Sequence, residues 1–156
     1  MKNVLFVCLG NICRSPLAEA VFKDIVKKRG LEDKISVDSC GTGNWHIGET
    51  PDPRSVAIAS RNGIPIMHRG RQLEEADFQN FDYILAMDKA NLRDITSKKG
   101  ASGHDNIHLM QSFDNNQSGE DVPDPYYGGE DGFQRVFDML QESCENLADE
   151  VSYAFA

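Results

Sequence analysis

The stretch Val4-Leu5-Phe6-Val7-Cys8-Leu9-Gly10-Asn11-Ile12-Cys13-Arg14-Ser15-Pro16 decides how the rest of the chain is read. It opens as a short β-branched and aromatic run of the kind that fills a buried parallel strand. It closes on Ser15-Pro16, which predicts a helix N-cap followed by proline at the first helical position. The turn between them begins with a cysteine and ends with an arginine. Such a strand–turn–helix aims the backbone N–H groups of Leu9, Gly10, Asn11, Ile12 and Cys13 at one point. The positive end of a helix dipole faces the same point, which makes it an anion site. Cys8 stands at its mouth, where the dipole and the Arg14 guanidinium favour a thiolate. Arg14 can also take two phosphate oxygens with its planar fork. No Gly-Lys-Ser/Thr opens the helix, so the turn is not a nucleoside-triphosphate loop.

Outward from this stretch the pattern alternates. Residues 16–29 read as a helix with apolar rows Leu17, Val21, Ile25 and Ala18, Phe22, Val26, ended by Gly30. Ile35 to Ser39 reads as a second strand, leaving through the glycine-rich 40–46. Asp52-Pro53 opens a second helix that stops at Asn62-Gly63. Residues 64–72 are irregular, and a short helix near 73–80 leads into a third strand at 82–87. Asp88 caps a helix to about Lys98, and 106–110 is a short fourth strand. A long polar segment, 111–132, precedes a last helix with Phe133, Val136, Phe137, Leu140, Cys144, Leu147 and Val151 at core spacing. The expected fold is α/β. It is a three-layer α/β/α arrangement of one 1–156 domain around a four-stranded parallel sheet, with the phosphate-binding loop between the first strand and first helix. Ligands of such sheets gather beyond the carboxyl ends of the strands. Cys8, Ser39, Asp88 and the loop holding Asp124 all fall on that rim.

At 156 residues and 40% hydrophobic content the chain can bury a core. Its net charge of −9 argues against nucleic acid or an anionic membrane surface as a partner. No apolar run approaches the ~20 residues of a membrane span, and the N-terminus lacks a secretory pattern, so a cytoplasmic location is expected. Cys8, Cys13, Cys40 and Cys144 have no zinc-ligand spacing and are expected to be free thiols. Neither a metal nor a cofactor is expected.

A thiolate ringed by phosphate-binding amides is a nucleophile facing phosphorus, and its product is a phosphocysteine that water then releases. The departing oxygen needs a proton, so a general acid must face the thiolate. Asp124, stiffened by a proline on each side and flanked by Tyr126 and Tyr127, is the leading candidate. The tyrosines are expected to desolvate it in part. Asp121 and Asp114 are rivals in the same segment. A low-pKa thiolate oxidises first, and Cys13 is near enough in sequence to intercept its sulfenic acid, so a reversible Cys8–Cys13 disulfide is expected.

The motif Cys8-Leu9-Gly10-Asn11-Ile12-Cys13-Arg14-Ser15-Pro16, paired with the late Asp124-Pro125-Tyr126-Tyr127, closely resembles the low-molecular-weight protein tyrosine phosphatases. The match covers nearly the whole chain in length and element order. The resemblance implies hydrolysis of phosphotyrosine in a protein or small aryl phosphate. Cys8 is then the nucleophile, Arg14 the phosphate clamp and Asp124 the acid that later acts as base. It implies that Asn11, Ser15, Ser39 and His68 hold the loop through a hydrogen-bond network, with Ser15 helping the thiol leave. Trp45, Tyr126 and Tyr127 then line the rim, and Asp52 and Asp88 are acidic residues kept near the site. A related branch that dephosphorylates arginine carries threonine where this chain has Ile12. Three other readings compete: that protein arginine phosphatase, a thiol-linked arsenate reductase and a non-catalytic phospho-reader. The reductase relay requires cysteines near residues 80–90, and none occurs there. His46, His104 and His108 are expected to be structural or on the surface.

Overall fold

The computed structural model describes residues 1–99, 106–114, 119–126 and 130–155. Four strands, β1 (Lys2–Cys8), β2 (Ile35–Gly41), β3 (Tyr83–Ala86) and β4 (Ile107–Leu109), form one sheet in the order β2-β1-β3-β4. All are parallel, in register from Lys2↔Ile35 to Cys8↔Gly41 and from Val4↔Tyr83 to Val7↔Ala86. Because β1 is central, Val4 to Val7 are fully buried on both faces, the reason this run reads as continuously apolar. The chain leaves β1 for β2 on one side and returns as β3 on the other. The carboxyl end of β1, where Cys8 lies, is therefore the switch point at which an open sheet forms a crevice.

On one face Val4, Phe6 and Leu85 meet helices α1 (Arg14–Lys28), α2 (Pro53–Arg61) and α5 (Glu130–Ser152). Phe6 and Phe22 pack edge to face with centroids 5.6 Å apart. On the other face Leu5, Val7, Ile84 and Ala86 meet Phe78 of α3 (Asp77–Asn80) and Ile95 of α4 (Lys89–Lys99). The seven apolar positions expected on the last helix are all buried. Gly30 ends α1 at φ +70°, with its N–H on Lys27 O and that of Leu31 on Val26 O.

Two local expectations change. Helix α1 begins at Arg14, not Pro16, and Ser15 is not its cap: Cys13 holds that position without a side-chain bond. Proline still lies in the first turn, where its missing N–H costs nothing. Met110, read as the end of the fourth strand, and the start of the long polar segment after it form a 3₁₀ turn at Met110–Phe113. Tyr127 and His104 lie outside the described residues.

Candidate active site

The 8–14 loop folds around the Cys8 sulfur. Asn11 adopts φ +57°, a left-handed conformation that asparagine tolerates, and its N–H points at Cys8 Sγ at 3.3 Å. The end of β2 presses against the loop from outside. Thr42 N–H donates to Cys8 O and Gly43 N–H to Leu9 O, both at 2.9 Å. A Cβ at Gly41 would stand 2.8 Å from Leu9 O, so only glycine permits this approach.

Proton counting fixes the network beneath. The Arg71 N–H can only donate, and it reaches Asn11 Oδ1 at 3.1 Å, so that atom is an acceptor. Asn11 Nδ2 then donates to Ser15 Oγ at 2.8 Å and Ser39 Oγ at 3.1 Å. Ser15 Oγ accepts there and faces Cys8 Sγ at 3.0 Å. This is why Ser15 does not cap the helix. Ser39 donates onward to Glu19 Oε1 at 2.6 Å. His68 Nε2 faces Asn11 Oδ1 at 2.7 Å, and Nδ1 faces Glu19 Oε1 at 3.1 Å. Both ring nitrogens therefore face oxygens of the network. His68 and Glu19 side chains are only 8% and 4% exposed. Burial opposes the Glu19 charge, but bonds from His68, Lys23 and Ser39 outweigh it and hold its carboxyl below the ordinary value.

Glu19 was not singled out in the sequence because a glutamate between apolar helical rows reads as a solvent position. Its burial predicts a cost for Glu19→Gln, which removes the carboxylate that His68, Lys23 and Ser39 bond: about 1.5–3 kcal/mol at neutral pH. A carboxyl depressed in the folded state stabilises above its unfolded value and loses that contribution as pH falls through the folded one. The deficit, measured as a urea-midpoint shift at constant m, is therefore expected to shrink below about pH 4. A variant within 1 kcal/mol of the parent at pH 7 would contradict it. Glu19, Asp38 and His68 offer ligand atoms within 4.8 Å of one another. Lys23 on Glu19 and Arg71 on Asp38 already balance these carboxylates.

Above the sulfur lies a cleft of about 230 Å³ lined by Cys8, Leu9, Gly10, Ile12, Cys13, Arg14, Trp45, His46, Asp124 and Tyr126. Arg14 is buried. Its Nη1 donates to Asp88 Oδ2 at 2.7 Å and Val122 O at 2.8 Å, and its Nη2 stands 3.8 Å from Asp124 Oδ2. Burial disfavours its charge, but Cys8 and the carboxylates of Asp88 and Asp124 more than offset this and keep it protonated. Asp88 also accepts the Asn91 N–H at 2.7 Å, so one carboxylate both caps α4 and aims the arginine. Asp52 caps α2 through Arg54 N–H at 2.8 Å, and its own N–H holds Ile12 O at 2.8 Å. Cys13 is pushed up to about 12 by burial, then by Asp52 and Cys8, and stays a thiol.

Among the described residues, Asp124 is the carboxylate that lines the cleft. Asp121 binds Lys89 at the α4 start, and Asp114 is buried against Gln111. The expected desolvation of Asp124 is smaller than its tyrosine neighbours suggested, since its side chain is 43% exposed. Trp45 is 66% exposed on the cleft wall, which excludes a core role for it. His46, expected to be structural or on the surface, packs over Gly10 in the cleft with its Nδ1 on Glu49 at 2.7 Å. Cys40 and Cys144 are buried, and all four cysteines are free.

Comparison with known proteins agrees. A protein from Schizosaccharomyces pombe named low molecular weight phosphotyrosine protein phosphatase is 48% identical over 93% of this chain and 94% of its own. The crystal structure of a protein tyrosine phosphatase from Entamoeba histolytica, with Hepes in its active site, superposes over the full length of both chains with TM-score 0.94 and 40% identity. The Drosophila arginine phosphatase DARP is also similar, with TM-score 0.87 and 38% identity over 96% and 97% of the two chains. The family model described as low molecular weight phosphotyrosine protein phosphatase matches residues 3–154, and the chain belongs to that family.

Proposed function

We propose that the protein hydrolyses phosphotyrosine through a phosphocysteine on Cys8, with Arg14 clamping phosphate and Asp124 acting as acid, then base. The observation that supports it most is the Cys8 sulfur, met by the Ser15 hydroxyl and Asn11 N–H at the base of a cleft walled by Arg14 and Asp124. In the first step the S–P bond forms as the P–O(aryl) bond breaks, and Asp124 gives its proton to the phenolate. In the second, water attacks phosphorus, Asp124 takes its proton, and the sulfur leaves as a thiolate toward Ser15. A steady-state assay separates this from a phospho-reader: catalytic release of many phosphates per chain is expected, and stoichiometric binding without release would overturn it. We take residues 1–156 as one phosphatase domain acting in the cytoplasm. No described helix is long and apolar enough to cross a membrane.

The choice of phosphate falls to Ile12, which lines the cleft and packs on the core beneath. Its branched face suits an aromatic ring and gives a guanidinium no hydrogen bond. An unpaired donor costs ~1–3 kcal/mol on burial, about tenfold to hundredfold in discrimination. Phosphotyrosine peptides are expected to exceed phosphoarginine and phosphoserine peptides in kcat/KM, with Ile12→Thr narrowing the gap to phosphoarginine. Comparable values for phosphotyrosine and phosphoarginine in the parent protein would defeat this reading.

We also read Cys8 and Cys13, which share the cleft, as a redox pair. Because Cys13 ionises only near pH 12, its attack on an oxidised Cys8 should accelerate as pH rises. Peptide mapping after mild peroxide is expected to find the Cys8–Cys13 link, more at pH 8.5 than at pH 6.5. Its absence from the inactivated protein would reject the pair.

A further inference from the structure

We propose that Arg54 is a positioning residue that holds the general acid at a set distance from the loop of the nucleophile. The proposal rests on the reading of Asp124 as that acid. One end of Arg54 is fastened to the phosphate loop. Its Nε donates to Asp52 Oδ1 at 3.1 Å and its Nη2 to Asp52 Oδ2 at 3.0 Å, while Asp52 N–H donates to Ile12 O. One residue further along α2, Ser55 Oγ donates to Cys13 O at 3.3 Å. The same guanidinium reaches across to the acid's loop. Arg54 Nη2 donates to Tyr126 O at 3.0 Å, and the guanidinium lies over the rings of Phe133 and Tyr126, 4.7 and 5.5 Å from their centroids.

Tyr126 is also the residue whose N–H holds Asp124 Oδ1 at 3.0 Å. It thus carries the acid on its N–H and Arg54 on its carbonyl. The path from Ile12 through Asp52, Arg54 and Tyr126 to Asp124 joins the two halves of the reaction, and its middle links, Asp52 and Arg54, lie outside the cleft lining. A planar fork suits this task because it meets a carboxylate and a carbonyl together, which a lysine ammonium on a flexible stem does not. Proton transfer is steep in distance, and a displacement of about 1 Å can cost about a hundredfold. As an ordinary surface ion pair, by contrast, Arg54 would leave the dependence on leaving group unchanged.

The test compares kcat/KM, which reports steps through P–O cleavage, for 4-nitrophenyl phosphate and phenyl phosphate. Arg54→Met keeps the stem over the two rings but removes the fork, and Arg54→Ala checks it. Arg54→Met is expected to lose about tenfold or more on phenyl phosphate and under about threefold on 4-nitrophenyl phosphate. In an Asp124→Asn background it is expected to lose nothing further, with inhibition by inorganic phosphate unchanged throughout. Equal losses on both esters, the same loss without Asp124, or weakened phosphate inhibition would each overturn the proposal. If Asp124→Asn alone shows no leaving-group dependence, the reading of Asp124 fails and the role of Arg54 falls with it.

Discussion

Cys8→Ser is expected to abolish turnover while leaving phosphate binding nearly intact. The two side chains differ by one atom, so the loop amides, Arg14 and the network under Asn11 keep their places. What changes is ionisation: a thiol beside a guanidinium and a helix N-terminus is available as a thiolate, whereas a hydroxyl there keeps its proton. Ser15 Oγ already accepts from Asn11 Nδ2, and its own proton can turn to position 8 or to Cys40 O, so this neutral hydroxyl is no base for the new one. His68 cannot help either, since Asn11 Oδ1 and Glu19 Oε1 already occupy its two nitrogens. The loss in kcat should exceed about 10⁴, with inorganic phosphate still bound in a calorimetric titration. More than trace activity in the serine protein would remove Cys8 from the nucleophile's role.

Asp124→Asn should lower kcat/KM by about 10²–10⁴ for esters with poor leaving groups, the usual range of a general acid. The amide keeps the shape and can still meet the Tyr126 N–H, but it has no proton to give at the required strength. Aryl groups that leave readily as phenolates need that proton less, so the deficit should contract as leaving-group pKa falls. The same residue takes a proton from water in the second step, so accumulation of phosphocysteine is expected in the variant and can be trapped by acid quench. A deficit that stays constant across leaving groups would mean Asp124 does not supply that proton.

The strand–turn–helix was legible because its signals are local: a buried run, a turn and a helix start within thirteen residues. The rim placement of Cys8, Asp88 and Asp124 was legible from topology alone, since each follows a strand of a parallel sheet. Ser15 was misread for a physical reason. A hydroxyl before proline usually caps, but here Cys8 and Asn11 offer it partners that the helix end does not. Glu19 and Arg54 were missed because their partners, Ser39 and His68 for one and Tyr126 for the other, lie 20 to 72 positions away. His46 was missed because nothing in a histidine's own neighbourhood says which wall it will face.

Arg14 donates to the carbonyl of Val122, 108 positions along the chain, and to Asp88, 74 positions along. Contacts of such separation close the largest loops and belong to the late stages of folding. The unit β1–α1–β2 needs only neighbouring sequence to form, and it already contains Cys8, Ser15, Glu19 and Ser39. The phosphate loop can therefore acquire its shape early, while Arg14 is aimed only when the chain beyond β3 and β4 has docked. A nascent chain or folding intermediate would hold a shaped but unaimed pocket. Recovered activity then reports completion of the fold, whereas order within β1–α1–β2 reports only the part of the chain up to Gly41.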